Sequence, residues 1–423
     1  MRLRVPDTEQ NKTVQDILDD LKAGDKDRRT EKWKHSYKIE VITPIFGGGV
    51  EAGEPDTKMP VRASAIRGQL RYWWRFLESA NRNLNDPQEQ KKLFEDECEI
   101  WGGMAEEGED YSSKVKVRVK IDKNALLRFQ GQKRQYAEDE PKYALFPARE
   151  QTQTVPHQSA KYLIWPNPNA KADLTFELLL SAPKKYRKEI ERVLRWWITF
   201  GGIGARTRRG CGSVYCSELD PISEAEAEAA GCELKFQGNF KGDALFTWKK
   251  AVNCLHKFRQ GGNIGRNGRF GRSKWPEPDS IREITGRHSG KNPRAGCKNH
   301  KPEHKARIAF PRAAFGLPII FKFKDDTKCG EPLQTELTPV DAERLASPLI
   351  LTAYPEQKNN KLQYVPAALL IKRDHLKTLS LMLGTKQIDN WWDESKATFD
   401  PIKKYGGTDA LTAFINFFAN GGE

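Results

Sequence analysis

A run of five glycines within twelve residues, from Gly201 to Gly212, constrains the fold of this chain more than any other segment. It follows an apolar pattern of helical period from about Lys184 to Phe200, and it precedes a short apolar stretch at 213–216 that predicts a strand. A helix therefore ends where the glycines begin. This order differs from the dinucleotide-binding fingerprint, in which a strand precedes the glycines.

The composition of this loop favours phosphate binding. Glycine accepts positive φ angles, so successive N–H groups can point in one direction and form a nest for an anion. Arg206, Arg208 and Arg209 add positive charge within the same loop, and we predict that their side chains are exposed. A structural turn that only ends the preceding helix is the alternative interpretation.

The first half of the chain has strand and helix patterns in the order of a ferredoxin-like domain. Apolar and polar residues alternate from Tyr37 to Thr43 and predict a strand, which Pro44 and Gly47–Gly49 end. The other predicted elements are strands at 114–121, 162–165, 174–180 and 213–216 and helices at 63–80 and 184–200. In such a sheet the first and last strands are antiparallel neighbours, so the loops Gly47–Gly49 and Gly201–Gly212 leave from the same end. A flexible surface loop at Gly47–Gly49 is the alternative.

The second half predicts another α+β domain, which an acidic, alanine-rich stretch at 224–230 separates from the first. Its predicted elements are helices at 243–258 and 411–419 and strands at 317–323, 348–354 and 362–371. The sequence therefore predicts an α+β fold of two ferredoxin-like (RRM-like) modules, the second of them degenerate. We place an N-terminal extension with a short helix (14–21) at 1–34, a first domain at 35–220 and a second at 235–423.

The positive charge is concentrated in one segment. The 423 residues include 71 Lys and Arg against 57 Asp and Glu, a net charge of +14. Residues 257–307 hold fourteen of the bases and four of the acids, so they contribute ten of these charges. Glycines there alternate with Arg266, Arg269 and Arg272 without helical or strand period, which predicts a long loop that becomes ordered on a polyanion. A solvated basic loop without a specific role is the alternative.

Flat side chains accompany these basic residues. Phe270 and Trp275 lie among the arginines, an arrangement suited to stacking on unpaired bases, and Phe315 is a further candidate. In helix 63–80 the apolar stripe includes Trp73 and Trp74, which are predicted to be core. The adjoining stripe, predicted to be exposed, holds Arg67, Arg71 and Arg75.

The seven cysteines predict reduced thiols, because they are odd in number, scattered, and not preceded by a secretion signal. No apolar run has membrane-spanning length, so a cytoplasmic location is the default expectation. Cys297, His300 and His304 have a spacing that a zinc site can use, but no second pair of cysteines accompanies them. Solvated histidines near an anion are the preferred interpretation, and no cofactor is predicted.

Catalytic motifs are absent from the sequence. It contains no nucleophile elbow, no His-Glu-x-x-His and no paired-carboxylate motif. A lone histidine, His35 or His256, or a loop lysine can still serve an RNA-cleaving protein as a general base. We therefore predict a protein that is not an enzyme, with a metal-independent ribonuclease as the alternative.

Several blocks together resemble the RAMP superfamily of CRISPR proteins. They are Ile42–Gly49 (ITPIFGGG), Pro60–Arg75 (PVRASAIRGQLRYWWR) and Phe200–Ser213 (FGGIGARTRRGCGS), the last resembling the glycine-rich loop of that superfamily. Within the superfamily the second block is similar to the first subunit of the type III-B Cmr effector complex. The same holds for Gly271–Pro278 (GRSKWPEP) and Phe310–Pro318 (FPRAAFGLP).

The resemblance implies a non-catalytic RNA-binding subunit of a ribonucleoprotein that serves antiviral defence. It would hold the 3′ part of the guide RNA, the paired target RNA, or both, and its partners would be these RNAs and other RAMP subunits. The chain departs from the family at 1–34, 105–110, 130–153 and 297–304. A scaffold in which the basic loop docks on an acidic neighbouring protein is a further alternative.

The predicted RNA-binding residues are glycines and basic side chains of these loops and helices, with one tryptophan. They are Gly47, Gly48, Gly49, Arg62, Arg67, Arg71, Arg75, Gly201, Gly202, Gly204, Arg206, Arg208, Arg209, Gly210, Arg266, Arg269, Arg272, Lys274, Trp275, Arg282 and Arg312.

Overall fold

The computed structural model describes residues 32–103, 111–137, 140–151, 157–166, 174–269, 271–290, 297–324, 328–359, 361–371, 376 and 378–422. These residues form helices and sheets, so the predicted α+β class is confirmed. The predicted helix at 14–21 lies outside them. Within these ranges no helix is both long enough and apolar enough to cross a membrane.

The helices form where apolar residues recur at helical spacing. They are α1 (Ala63–Ser79), α2 (Pro87–Trp101), α3 (Lys123–Gly131), α4 (Arg187–Phe200), α5 (Glu224–Ala229), α6 (Ala244–Gln260), α7 (Glu277–Thr285) and α8 (Ala410–Ala419). The predictions at 63–80, 184–200, 243–258 and 411–419 are confirmed, since α1, α4, α6 and α8 occupy these positions. Helices α2, α3, α5 and α7 were not predicted. Asp86 caps the first turn of α2, and Asp122 caps that of α3.

The strands belong to four sheets. They are β1 (Lys32–Val41), β2 (Lys116–Lys120), β3 (Lys133–Gln135), β4 (Tyr162–Ile164), β5 (Thr175–Pro183), β6 (Val214–Tyr215), β7 (Glu233–Phe236), β8 (Ile319–Phe321), β9 (Thr335–Pro339), β10 (Leu349–Lys358), β11 (Lys361–Leu370), β12 (Leu381–Leu383) and β13 (Lys386–Ile388). The sheets have the spatial orders β2-β5-β1-β6, β10-β11-β7, β13-β12-β9-β8 and β3-β4. Each predicted strand overlaps one of these.

In the first sheet, β1 and β6 are antiparallel neighbours. Glu40 lies opposite Tyr215 and Val41 opposite Val214. The segment after β1 and the segment before β6 therefore leave the sheet at the same end, as predicted. This register brings together the two glycine-rich loops, one after Val41 and the other before Val214.

The chain divides into two compact units that alternate along the sequence. Unit 1 consists of 1–38, 62–120 and 176–194, and unit 2 of 39–61, 121–175 and 195–423. Each unit therefore contains segments from the predicted first domain. This division does not test the domain boundaries predicted at 35, 220 and 235, which stay a prediction.

Unit 1 has a tryptophan-rich core. Trp73 and Trp74 of α1 are 1% and 2% exposed, so their prediction as core residues is confirmed. The neighbouring arginine stripe, predicted to be exposed, is exposed at Arg75 and half-buried at Arg67 and Arg71. Arg71 Nε and Arg75 Nη1 contact the buried carboxylate of Glu97 at 2.6 and 2.5 Å, and Arg67 donates to the carbonyl of Trp101. Helix α2, which was not predicted, supplies these partners.

Unit 2 is held by an aromatic core between helices and strands. Helix α6 packs against β10 and β11, and α8 packs against α6 and β7. Phe258 of α6 is fully buried, and its ring lies 5.3 Å from Phe417 and 5.5 Å from both Phe414 and Trp275. These contacts join the basic segment 257–307 to the core.

Two cysteines differ from the prediction of reduced thiols. Cys297 and Cys329 form a disulfide with a Cα–Cα distance of 5.7 Å. The prediction of reduced thiols was wrong for these two residues. They are 32 residues apart in the sequence, and only the fold brings them together. The other five cysteines are free and buried.

Gly68, in the middle of α1, offers a test of the helix assignment. It is exposed, and a Cβ at this position would meet no atom within 4 Å among the described residues. Gly68→Ala is expected to raise the free energy of unfolding by about 0.5–1 kcal/mol, because alanine loses less backbone entropy in a helix. Urea unfolding measures this change. A fall in stability would contradict an open helical position at residue 68.

Candidate nucleic-acid interface

The two glycine-rich loops are joined directly to each other in unit 2. Thr43, fully buried after β1, donates its hydroxyl to the carbonyl of Gly210 and accepts the N–H of Ser213, both at 2.7 Å. The N–H of Gly212 donates to Pro44 O at 2.8 Å, and the N–H of Ala205 donates to Phe46 O at 2.6 Å. The loops 42–54 and 201–212 therefore form one structure, which we call the glycine junction.

The backbone of the glycine junction requires glycine at its centre. Gly48 and Gly204 have φ angles of +89° and +82°, and a Cβ on Gly48 would lie 3.3 Å from the Cα of Gly204. The N–H groups of both residues donate to no acceptor in the described part of the chain. Two backbone donors are thus available beside each other, as an anion nest requires.

The remaining glycines of these loops have structural roles. Gly47 is buried against Ala205, and Gly49 N donates to Glu54 O at 2.8 Å. Side chains at Gly201, Gly202 and Gly210 would collide with Trp197, Gly212 and Trp248, respectively. These glycines allow close approach of backbone and side chains, so they support the geometry of the junction.

The hairpin of β3 and β4 places two lysines beside loop 42–54. Ile45 and Ile164 exchange backbone hydrogen bonds of 2.9 and 3.1 Å, which attach β4 to this loop. Lys161 Nζ donates to Ala52 O at 2.6 Å, and Lys133 Nζ lies 3.4 Å from the carboxylate of Glu54. The Lys133 ammonium also lies 4.7 Å from the centre of the Tyr162 ring, which is 39% exposed. Tyr162 is therefore an exposed aromatic side chain among cations.

Sequence reasoning missed Lys133, Lys161 and Tyr162. They lie more than 80 residues from Gly47, and the hairpin that carries them is short. The available signal was the short apolar run at 162–165, which predicted the strand but not its neighbour. Only the pairing of Ile45 with Ile164 connects them to the junction.

The three loop arginines differ from one another, and the prediction that all are exposed is wrong. Arg209 is half-buried and donates to Leu349 O at 2.9 Å and to Phe315 O at 3.2 Å. Burial lowers the pKa of Arg209 to about 10. Arg208 donates to Ser347 O. Both guanidinium groups therefore bind carbonyls of distant segments of unit 2.

Arg206 is the loop arginine best suited to bind an anion. It is half-buried and has a left-handed backbone (φ +60°), and its guanidinium group forms no hydrogen bond or ion pair with the described residues. Burial lowers its pKa from the usual value, which indicates a cation without full compensation. A phosphate at this position would compensate the charge, because an ion pair favours the charged form.

A further arginine, half-buried Arg259, adds positive charge near Arg209. Arg259 donates to the hydroxyl of Tyr143, and its guanidinium lies 5.1 Å from the centre of the Phe315 ring. The positive charges of Arg259, Arg206 and Arg208 all contribute to the lowered pKa of Arg209. This part of unit 2 thus has an excess of cations.

The basic segment 257–307 is more structured than predicted. It includes the end of α6 and the whole of α7, and Trp275 is 1% exposed with its indole N–H donating to Arg259 O at 3.0 Å. Phe315 is 2% exposed. Neither ring is available for base stacking, so both predictions of stacking are corrected. Phe270 lies outside the described residues.

Several basic residues of this region have carboxylate partners, which sequence reasoning did not assign. Arg272 Nη2 lies 2.6 Å from Asp279, and buried Arg282 contacts Asp279 and Glu331 at 2.9 and 2.8 Å. The remaining pairs are Arg312 with fully buried Glu277 at 3.0 Å and Lys274 with Asp400 at 3.9 Å. Arg282 and Arg312 thus have structural roles, and the prediction that they bind RNA is corrected. Arg266 and Arg269 are exposed.

The candidate zinc ligands have other partners. Cys297 is in the disulfide, and His300 Nδ1 lies 3.0 Å from Glu331. His304 uses both ring nitrogens, one with Lys274 O at 3.1 Å and the other with the N–H of Ala306 at 3.2 Å. Burial lowers the pKa of His304. Within the described residues these three side chains do not converge as a metal-binding group.

Arg62, the last residue before α1, is half-buried at the start of that helix. It belongs to unit 1, as do Arg67, Arg71 and Arg75. The predicted set of RNA-binding residues is therefore distributed over both units. The glycine junction and Arg206 belong to unit 2.

Comparison with known proteins gives one family and several structural likenesses. The family model described as the RAMP superfamily matches residues 38–215. No curated protein matches the chain.

Among solved structures, the apo form of Cmr1 from Pyrococcus furiosus is similar with a TM-score of 0.40 and 16% identity. The match covers 81% of this chain and 89% of that one. A chain of the type III-B Cmr-beta complex with cognate target RNA and AMPPnP has a TM-score of 0.38 and 13% identity, and the match covers 92% and 99% of the two chains. A chain of Cmr-beta with cognate target RNA has a TM-score of 0.33 and 11% identity, and the match covers 82% of this chain and 97% of that one.

Proposed function

Since the family model of the RAMP superfamily matches residues 38–215, we propose that this chain is a RAMP protein and a non-catalytic, RNA-binding subunit of a type III-B (Cmr-type) CRISPR effector complex. In this role it holds the 3′ part of the guide RNA, the paired target RNA, or both. The resemblance of blocks Gly271–Pro278 and Phe310–Pro318 supports the narrower assignment to the Cmr type. Its partners are these RNAs and other RAMP subunits, and its proposed location is the cytoplasm.

The proposed fold is two ferredoxin-like modules. The first sheet has the spatial order β2-β5-β1-β6, with α1 after β1 and α4 after β5, which supports the first module. The sheet β10-β11-β7, with α6 after β7 and α8 after β11, supports a second module that lacks a fourth strand among the described residues. The second module is therefore proposed to be degenerate.

The glycine junction is the observation that carries the proposed function. It offers the unused N–H groups of Gly48 and Gly204, with the unpaired guanidinium of Arg206 in the same loop as Gly204. These donors suit phosphate oxygens, which fix the position of a strand without selecting its sequence. Tyr162 supplies a flat ring for an unpaired base. Selection of sequence is then left to pairing between guide and target.

The first test is the salt dependence of RNA binding. If about six to ten phosphates are contacted, affinity for a labelled single-stranded RNA should fall by about 3 × 10²- to 2 × 10⁴-fold between 50 and 200 mM salt. Fluorescence anisotropy at several salt concentrations measures it. Arg206→Ala is expected to reduce the log–log slope by about 0.7, whereas exposed Arg344→Ala, which changes the net charge equally, should not. A flat salt dependence for the unaltered chain would sink the electrostatic mechanism.

The non-catalytic part of the proposal has its own measurement. Labelled repeat RNA and unrelated RNA are incubated with the purified chain in EDTA and resolved on a denaturing gel. Intact RNA is expected. A single defined cut would instead establish the alternative, a metal-independent ribonuclease, and replacement of His256 and of His35 would then identify its general base.

A further inference from the structure

The open face of the first sheet in unit 1 carries cations on adjacent strands. Along the part of β1 that belongs to unit 1, Trp33 and Tyr37 are buried, whereas Lys34 and Ser36 are exposed. Side chains alternate between the two faces of a strand. The buried residues therefore face the core of unit 1, and Lys34 and Ser36 lie on the opposite face.

The neighbouring strands continue this face. The register places Lys116 of β2 opposite Ser181 of β5, and Arg118 opposite Leu179. Lys116 and Arg118 are exposed. On β5, the two neighbours of Leu179 in sequence, Leu178 and Leu180, are buried. A cavity of about 360 Å³ lies here, lined by Lys34, Ser36, Lys116, Arg118, Leu179 and Ser181 among others.

The charge of this cavity has one sign. Its lining includes lysines and an arginine from two strands, but no acidic side chain among the described residues. Glu177 is the acidic neighbour along β5, and it lies opposite Lys120, whose ammonium is 3.4 Å from its carboxylate. Glu177 is therefore already paired with Lys120, and it does not compensate the positive charges of Lys116 and Arg118.

This pattern suits a polyanion with regularly spaced charges. Lys116 and Arg118 are two residues apart, so about 6.7 Å of strand separates them, and neighbouring strands lie about 4.8 Å apart. The resulting array of cations is comparable in spacing to successive phosphates of an extended nucleic acid strand. Leu179 and Ser181 provide little for base stacking, and the His35 ring, which also lines the cavity, already lies 4.3 Å from the Tyr37 ring. The contacts would therefore be mainly to the backbone.

We propose that this basic sheet face, defined by Lys34, Lys116 and Arg118 around Leu179, binds the phosphate backbone of RNA. It is a second RNA surface, made by unit 1 and separate in sequence from the glycine junction of unit 2. The identification of the polyanion as RNA rests on the proposed function. Because its cations would contact phosphates, which carry no sequence information, the face binds any single-stranded RNA with similar affinity.

The experiment compares two triple variants of the full chain. Lys34→Ala, Lys116→Ala and Arg118→Ala together are expected to weaken single-stranded RNA binding about 10- to 100-fold at 0.15 M salt and to lower the log–log salt slope by about two. The control replaces Lys91, Lys92 and Lys188 by alanine, which removes the same charge from exposed helical positions of unit 1. The control should retain both affinity and slope.

A charge-preserving variant separates folding from binding. Lys34→Arg, Lys116→Arg and Arg118→Lys together should bind RNA as the unaltered chain does. If the alanine variant keeps the affinity and slope of its control, the basic sheet face is excluded while RNA binding by the chain stands. If the unaltered chain itself does not bind RNA, the proposed function fails instead. Loss of binding to poly-L-glutamate without loss of RNA binding would assign the face to an acidic protein and overturn the inference.

Discussion

Arg209→Ala is expected to lower the free energy of unfolding by about 3 kcal/mol or more. The guanidinium group donates to the carbonyls of Leu349 and Phe315, which are 140 and 106 residues away along the chain. Its removal leaves buried acceptors without donors, and each such loss costs about 1–3 kcal/mol. The substitution also opens a cavity behind the glycine loop, which adds to the loss.

Urea unfolding followed by tryptophan fluorescence measures this effect at a sensitive place. The indole N–H of Trp248 donates to the carbonyl of Arg209 at 2.7 Å, so the ring reports on the packing around the loop. Arg206→Ala is the matched control, because the Arg206 side chain makes no hydrogen bond with the described residues. It should change stability little and RNA affinity clearly. Equal destabilisation by the two variants would refute the division between a structural and an anion-binding arginine.

This division explains what the sequence can and cannot reveal. The pattern Arg206-Thr-Arg208-Arg209 shows three cations beside glycines and predicts one role for all of them. The carbonyls that bind Arg208 and Arg209 belong to Ser347, Leu349 and Phe315. No local pattern connects these segments with the loop. Charge within a loop is visible in the sequence, but its partners depend on the tertiary fold.

Periodicity predicted the elements well where one face is buried. Helix α1 and strands β10 and β11 have regular apolar patterns, and their observed positions are within a few residues of the predictions. Segment 257–307 misled the prediction because its glycines and arginines obscure the period. Trp275 anchors this segment in the core through Phe258, a contact that composition alone does not predict.

The basic sheet face illustrates the opposite limitation. Lys116 and Arg118 alternate with Val117 and Val119, a pattern visible in the sequence. A net charge summed over a long segment does not detect this local alternation of basic and apolar residues. Lys34 is more than 80 residues away, and only the sheet order β2-β5-β1 places it on the same face. The arrangement of strands, rather than the amount of charge, therefore defines this surface.

Gly204→Ala is expected to weaken RNA binding about 100-fold. An alanine at φ +82° has a strained backbone, and its Cβ would lie 2.6 Å from the carbonyl oxygen of Phe46. The loop must then move away from Phe46, which displaces the N–H groups of Gly204 and Gly48. Two hydrogen bonds to a charged phosphate contribute about 1.5 kcal/mol each or more, and 1.4 kcal/mol corresponds to a factor of ten in affinity.

Gly231→Ala separates backbone strain from this collision. Gly231 also has a positive φ of +73°, but a Cβ there would meet nothing within 4 Å among the described residues. Both variants therefore have a comparable loss of stability from the strained backbone, and only Gly204→Ala disturbs the glycine junction. Anisotropy titrations should show unchanged affinity for Gly231→Ala. If both variants bind RNA equally well, the N–H groups of the junction do not contact phosphate, and the basic sheet face and Arg206 must supply the binding.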